Sequence, residues 1–166
     1  MRTSFFDTHS LRLIQAPMAG SQNHRLAAAV FKAGGIGSIP AAMLTIEQLR
    51  NEMNAFNDAI ESRNSAAWGS LLPVNVNFFC HTPPAPQAET ESAWRLKLAS
   101  AYAAHGIDGS TVASGPGRAP FSEESLTLLG QLKPAIVSFH FGLPKAEWVL
   151  QLKAWGMHIW SSATTV

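Results

Sequence analysis

His140 closes the apolar run Ala135 to Phe139 and is followed by Phe141-Gly142-Leu143-Pro144, so an imidazole stands where an extended segment gives way to a turn. There it can hydrogen-bond an anion or exchange a proton near neutral pH. The competing reading is a buried histidine satisfied by a backbone carbonyl. Asn77 holds the matching place in Leu72 to Phe79, among Val74, Val76, Phe78 and Phe79. Its amide is either a satisfied strand-end group or one kept for a ligand, and the apolar neighbours favour the second, because an idle half-buried amide is costly. A third stretch, Leu13-Ile14-Gln15-Ala16-Pro17-Met18-Ala19-Gly20, leads an apolar strand into a turn of small or rigid residues. Small side chains let a flat ligand approach bare backbone, Pro17 fixes φ, and Gly20 permits dihedrals that other residues resist. A fourth, Ser161-Ser162-Ala163-Thr164-Thr165, follows the last apolar run.

Other reactive residue types carry less. Cys80 borders the same region, yet no activating base lies at a fixed spacing from it, and it reads as a small buried hydrophobe. His81 either lines the mouth of a site or anchors a loop. His9, His24, His105 and His158 have no partner at metal or triad spacing and read as structural or surface residues, so no metal is expected. Gly-x-Gly-x-x-Gly after a strand, a Walker loop, His-Glu-x-x-His and Gly-x-Ser-x-Gly are all missing from the sequence.

The elements that must position these residues alternate between short apolar runs and helical periodicity, the pattern of βα units around a parallel sheet. Five strands are expected: Arg12 to Ala16, Ile36 to Ile39, Leu72 to Phe79, Ala135 to His140 and Met157 to Ser161. A helix from about Asn23 to Ala33 ends at Gly34-Gly35. Thr45 and Gln48 form a capping box for a helix with Ile46, Leu49, Met53, Phe56 and Ile60 on one face. In the third strand Asn75 and Asn77 point away from the face of Val74, Val76 and Phe78. A helix from about Glu89 to His105, with Trp94, Leu98, Ala101 and Tyr102 on one face, stops at Gly106. Ser122 caps a helix carrying Leu126, Leu129 and Leu132. Pro144 takes a first helical position before Trp148, Leu152 and Trp155, and Gly156 ends that helix. The connection from the third to the fourth strand is the longest, an excursion suited to a lid. All four chemical stretches fall at strand ends, where βα barrels build their sites.

Composition narrows the partners. Charged residues are 14% of the sequence, against roughly 25% in average domains. The net charge is +1 with no basic run, so nucleic acid is not an expected partner. Ten prolines and twelve glycines gather at turns. A single cysteine excludes an internal disulfide and suits a cytoplasmic setting. No run of about eighteen apolar residues is present, so no membrane span is expected. The 166 residues read as a single domain. A complete eightfold barrel takes about 250 residues, and the sequence stops at Thr164-Thr165-Val166 where a helix is due. It is therefore expected to be the N-terminal part of a longer enzyme.

The four stretches, in this order, resemble those of the nitronate monooxygenases, once called 2-nitropropane dioxygenases. That resemblance implies an FMN-binding (β/α)8 TIM-type barrel, here truncated to about its first five βα units. It implies cofactor contacts from Pro17, Met18, Ala19, Gly20, Asn77, Ser162, Ala163 and Thr164, and a catalytic role for His140. The activity implied is oxidation of an alkyl nitronate by O2 to a carbonyl compound and nitrite. The family's Gly-Gly-His motif and phosphate-gripping loops lie on later strands, so this stretch alone is expected to bind FMN weakly and to be inactive. Open sheet edges make self-association an expectation. Two other readings stay open: a related FMN barrel reductase acting on enoyl-thioesters or quinones, and a non-catalytic half-barrel serving assembly.

Overall fold

The computed structural model describes residues 11–60, 68–83, 85, 87–112 and 117–165. They fall into two compact units, residues 1–81 with 118–166, and residues 82–117. The larger unit holds a parallel sheet of four strands in sequential order: β1 (Ser38–Pro40), β2 (Leu72–Phe79), β3 (Pro134–His140) and β4 (His158–Ser161). Its helices are α1 (His24–Lys32), α2 (Ile46–Ile60), α4 (Glu123–Leu132) and α5 (Ala146–Ala154), while α3 (Ala88–Ala104) belongs to the smaller unit. Sequential parallel order with helical crossovers makes a partial α/β barrel, as the sequence predicts.

The first expected strand is not a full strand. Residues 12–16 touch the sheet by a single parallel bridge, Ile14 to Ile36. Leu13 O accepts from Ile36 N at 2.8 Å and Gln15 N donates to Ile36 O at 2.9 Å, and the second strand begins only at Ser38. Gly35 and Gly37 account for the tight join: a Cβ on Gly37 would lie 2.2 Å from Ala27 O, so the chain runs directly against α1.

Each strand of the sheet alternates between two environments. Ile39, Val74, Val76, Phe78, Val137 and Phe139 join Leu49, Met53, Phe56, Leu129 and Leu152 in the main core beneath the helices. The opposite face is partly polar. In-register neighbours across it are Ser38, Asn75, Ile136 and His158 in one row, and Pro40, Asn77, Ser138 and Trp160 in the next. Phe79 and His140 begin a third. The predicted division of Asn75 and Asn77 from their apolar neighbours is thus real, and both amides are buried.

Caps define the helices largely where the sequence marks them. Thr45 Oγ1 accepts from Gln48 N at 3.1 Å while Gln48 Oε1 accepts from Thr45 N at 2.9 Å, a complete capping box. Ser122 Oγ accepts from Ser125 N at 3.3 Å. The α1 C-terminus closes by paired bonds from Gly34 N to Phe31 O and Gly35 N to Val30 O, with Gly34 at φ +95°. Glu52 of α2 accepts from His24 N at 2.6 Å and lies 2.9 Å from its Nδ1, which ties the start of α1 to α2.

Two helix expectations change. Pro144 is not the first residue of α5: Lys145 is the N-cap and its carbonyl takes the first helical bonds from Trp148 and Val149. Within the smaller unit, α3 buries none of its residues, and Trp94 and Leu96 are 56% and 78% exposed. Leu96 lies off the stripe of Trp94, Leu98, Ala101 and Tyr102, so no single apolar face results. Among the described residues no helix is long and apolar enough to cross a membrane.

Candidate functional site

Toward the C-terminal ends of β2 and β3 and just beyond β4 lie Asn77, His140 and Ser162. His140 is the last residue of β3. Its Nδ1 lies 2.9 Å from Ser162 Oγ, just beyond β4. Ser162 is held there by its own N–H, which donates to Phe139 O at 3.3 Å, and Ser161 Oγ donates to the same carbonyl at 3.3 Å. The imidazole also meets aromatic rings. Phe79 and Phe141 stand with centroids 6.4 and 6.5 Å from it in edge-on geometry, and they pack on one another at 4.9 Å.

Phe141 is 67% exposed and sits in the left-handed region at φ +64°, followed by Gly142 at +104°. A bulky side chain rarely adopts that backbone, and such strain concentrates at functional sites. The turn throws the chain sharply away after His140 and leaves the Phe141 ring at the rim.

Asn77 lies one row deeper. Its Nδ2 donates to Ser138 Oγ at 2.9 Å and to Ser138 O at 3.3 Å. With both donors committed to β3, the amide oxygen is the group left to meet a ligand. Asn75 donates to Ser38 Oγ at 3.0 Å, while its Oδ1 is buried without a partner. Ser38 in turn donates to Gln15 O at 2.6 Å. Gln15 bonds the side chain of Gln22, whose Nε2 donates to Ser38 O at 2.8 Å. This network fastens the strand-one turn to β1.

In that turn Ser21 N donates to Met18 O at 3.1 Å, and Gly20 has φ +81°. Met18 and Gly20 are exposed while Pro17 and Ala19 are half-buried. Ser162, Ala163 and Thr164 are exposed at the opposite end of the strand order. His140 and Ser162 are therefore in direct contact, and Asn77 is coupled to the strand that carries His140. Among the described residues no hydrogen bond joins the Pro17–Gly20 turn to either. Gln15, Gln22, Ser38 and Ser138 are supporting residues that local sequence pattern does not reveal, because their partners lie on other strands.

Cys80 donates its backbone N–H to His140 O at 2.9 Å, and burial pushes its thiol up to about 11. That keeps it a thiol and removes it as a nucleophile, as expected from the sequence. His81 Nδ1 is buried without a partner, and its ring meets Phe79 and Phe141.

The family of the chain follows from comparisons with known proteins. The sequence model of a family described as nitronate monooxygenase matches residues 3–166. A nitronate monooxygenase of Paraburkholderia phytofirmans is 35% identical over 158 residues, covering 93% of this chain and 40% of its own length. One from Pseudomonas aeruginosa is 34% identical over 157 residues, covering 92% and 41% respectively. The crystal structure of a nitroalkane oxidase from Streptomyces ansochromogenes superposes with a TM-score of 0.75 at 28% identity, over 96% of this chain and 42% of that one. The chain belongs to the nitronate monooxygenase family, and it spans about 40% of the length of the curated relatives it matches.

Proposed function

We propose that the whole protein carrying this member of the family is an FMN-dependent nitronate monooxygenase, and that residues 1–166 form one domain, the N-terminal part of its FMN-binding barrel. Two alkyl nitronates and one O2 would give two carbonyl compounds and two nitrites. In each turnover the carbon–nitrogen bond breaks, and an oxygen from O2 enters the new carbonyl. The observation that carries this reading is the contact of His140 with Ser162, with Asn77 bonded to Ser138 two residues before His140, at the C-terminal end of a parallel sheet, where such folds place their ligands.

The residues present fit a flavin. The free Oδ1 of Asn77 is an acceptor suited to an N–H on the polar edge of the isoalloxazine. Pro17, Met18, Ala19 and Gly20 supply a turn of small or rigid residues with an open backbone at Gly20. Ser162, Ala163 and Thr164 are exposed and would add main-chain contacts and the Thr164 hydroxyl. When bound, the flavin supplies the redox chemistry. The chain's own work is to orient and to stabilise charge: His140 would bind the nitro oxygens, with the exposed Phe141 ring beside them excluding water from the alkyl side. A cytoplasmic setting and self-association through sheet edges belong to the same reading, the second testable by sedimentation.

The test is direct. The whole protein, purified and supplied with FMN, should take up the flavin and release nitrite from propyl-2-nitronate under air. A preparation that takes up no FMN overturns the reading.

A further inference from the structure

We propose that Ser162 is the positioning residue that sets the ring orientation and tautomer of His140, its hydroxyl donating to Nδ1 so that Nε2–H is the atom offered to an anionic ligand. This rests on the proposed nitronate chemistry for the negative charge of that ligand. The hydrogen bond itself is 2.9 Å long.

Three features make Ser162 a fixed partner. Its N–H and the hydroxyl of Ser161 both donate to Phe139 O, so the segment after β4 is tied to the residue directly before His140. Phe79 and Phe141 flank the imidazole edge-on and limit its rotation. Nδ1 is the ring nitrogen turned to the serine, which leaves Nε2 as the nitrogen available to a ligand.

The direction of the bond follows from the chemistry of both partners. A neutral imidazole keeps one proton, and the nitrogen that lacks it is an acceptor. A proton on Nδ1 would leave a bare lone pair on Nε2, which repels an anion carrying two oxygens. With the serine hydroxyl donating to Nδ1, the proton sits on Nε2 and meets that charge as a donor. The serine hydroxyl is thus committed to the imidazole and its N–H to Phe139 O, so any contact of Ser162 with a cofactor falls to its main-chain carbonyl. His140 then acts as a binding group for an already ionised nitronate, not as the base that would deprotonate a neutral nitroalkane.

Long-range proton–nitrogen correlation spectra test this without cofactor or substrate, on the whole protein labelled with 15N at histidine and held where imidazoles are neutral. His140 should show Nε2 protonated and Nδ1 bare. In Ser162→Ala both nitrogens should move toward averaged values while His24 and His158 stay put, and Ser162→Thr should restore the original pattern. A protonated Nδ1 in the unmodified protein overturns the proposal, as does a His140 spectrum unchanged in Ser162→Ala. If Ser162→Ala does not fold, the unmodified and Ser162→Thr spectra still decide. The companion kinetic measurement, KM for propyl-2-nitronate in Ser162→Ala, should rise about tenfold, the loss expected for one misplaced charge-assisted hydrogen bond. A protein that never oxidises nitronates defeats the functional reading and leaves the tautomer result standing.

Discussion

Asn77 on β2 donates its side-chain amide to both the hydroxyl and the carbonyl of Ser138 on β3, at 2.9 and 3.3 Å. The pair lies buried and in register across adjacent strands. The amide therefore has a fixed orientation, with its oxygen as the group left over.

Replacing Asn77 by Ala should weaken FMN binding by the whole protein about fivefold, since one hydrogen bond is worth roughly 1 kcal/mol net. Ser138→Ala should weaken it less but measurably, although Ser138 makes no ligand contact of its own, because the amide loses its stronger anchor. Fluorescence titration with FMN checks both. Equal affinity in all three proteins would remove Asn77 from the site.

Gly37→Ala should be the most damaging small change in the sheet. The added Cβ would meet Ala27 O at 2.2 Å, backbone against backbone, where no side chain can move aside. A loss at or above the upper end of the roughly 1–3 kcal/mol typical of overpacking is expected in urea unfolding. Gly117→Ala, whose Cβ would meet nothing within 4 Å, is the matched control.

Thr45→Ala removes one half of the capping box of α2 and should cost about 1 kcal/mol. Gln48→Ala removes the reciprocal bond to Thr45 N. Because the two bonds share one motif, the double variant should lose less than the sum of the single ones. Thermal unfolding followed by circular dichroism measures all three.

Cys80 makes a pH prediction. Burial raises its thiol from 9.0 to about 11 in the folded chain, so the neutral form is the one folding favours. Its contribution to stability is fully present below the unfolded value and is lost as pH rises through the folded one, so unfolding should become easier between about 9 and 11. Cys80→Ala should lack that part of the alkaline decline. At pH 8 a thiol reagent should label Cys80 slowly in the folded protein and quickly in urea.

Much of this was legible because it is local. The strand Leu72–Phe79, the reciprocal Thr45–Gln48 cap and the glycine stop after α1 each depend on residues within a few positions of one another, and each stands where pattern places it. The pairing of Asn77 with Ser138 does not, because 61 residues separate them and only strand register brings them together. The same holds for His140 and Ser162, recognisable singly as strand-end residues but not as partners. The apolar run at residues 12–16 has the composition of a strand, but Ile14 makes one bridge where a strand needs a ladder. Pro144 does not start α5, because its fixed φ suits a first turn but does not oblige one.

In the proposed function, the sheet end with His140 and Ser162 at its rim and Asn77 one row below would serve a flavin that takes electrons from a nitronate. Anaerobic mixing of the FMN-loaded whole protein with propyl-2-nitronate, followed by absorbance in the flavin band, tests it most directly. The nitronate should bleach the flavin, and air should restore the colour. Bleaching by NADH with none by the nitronate would contradict it.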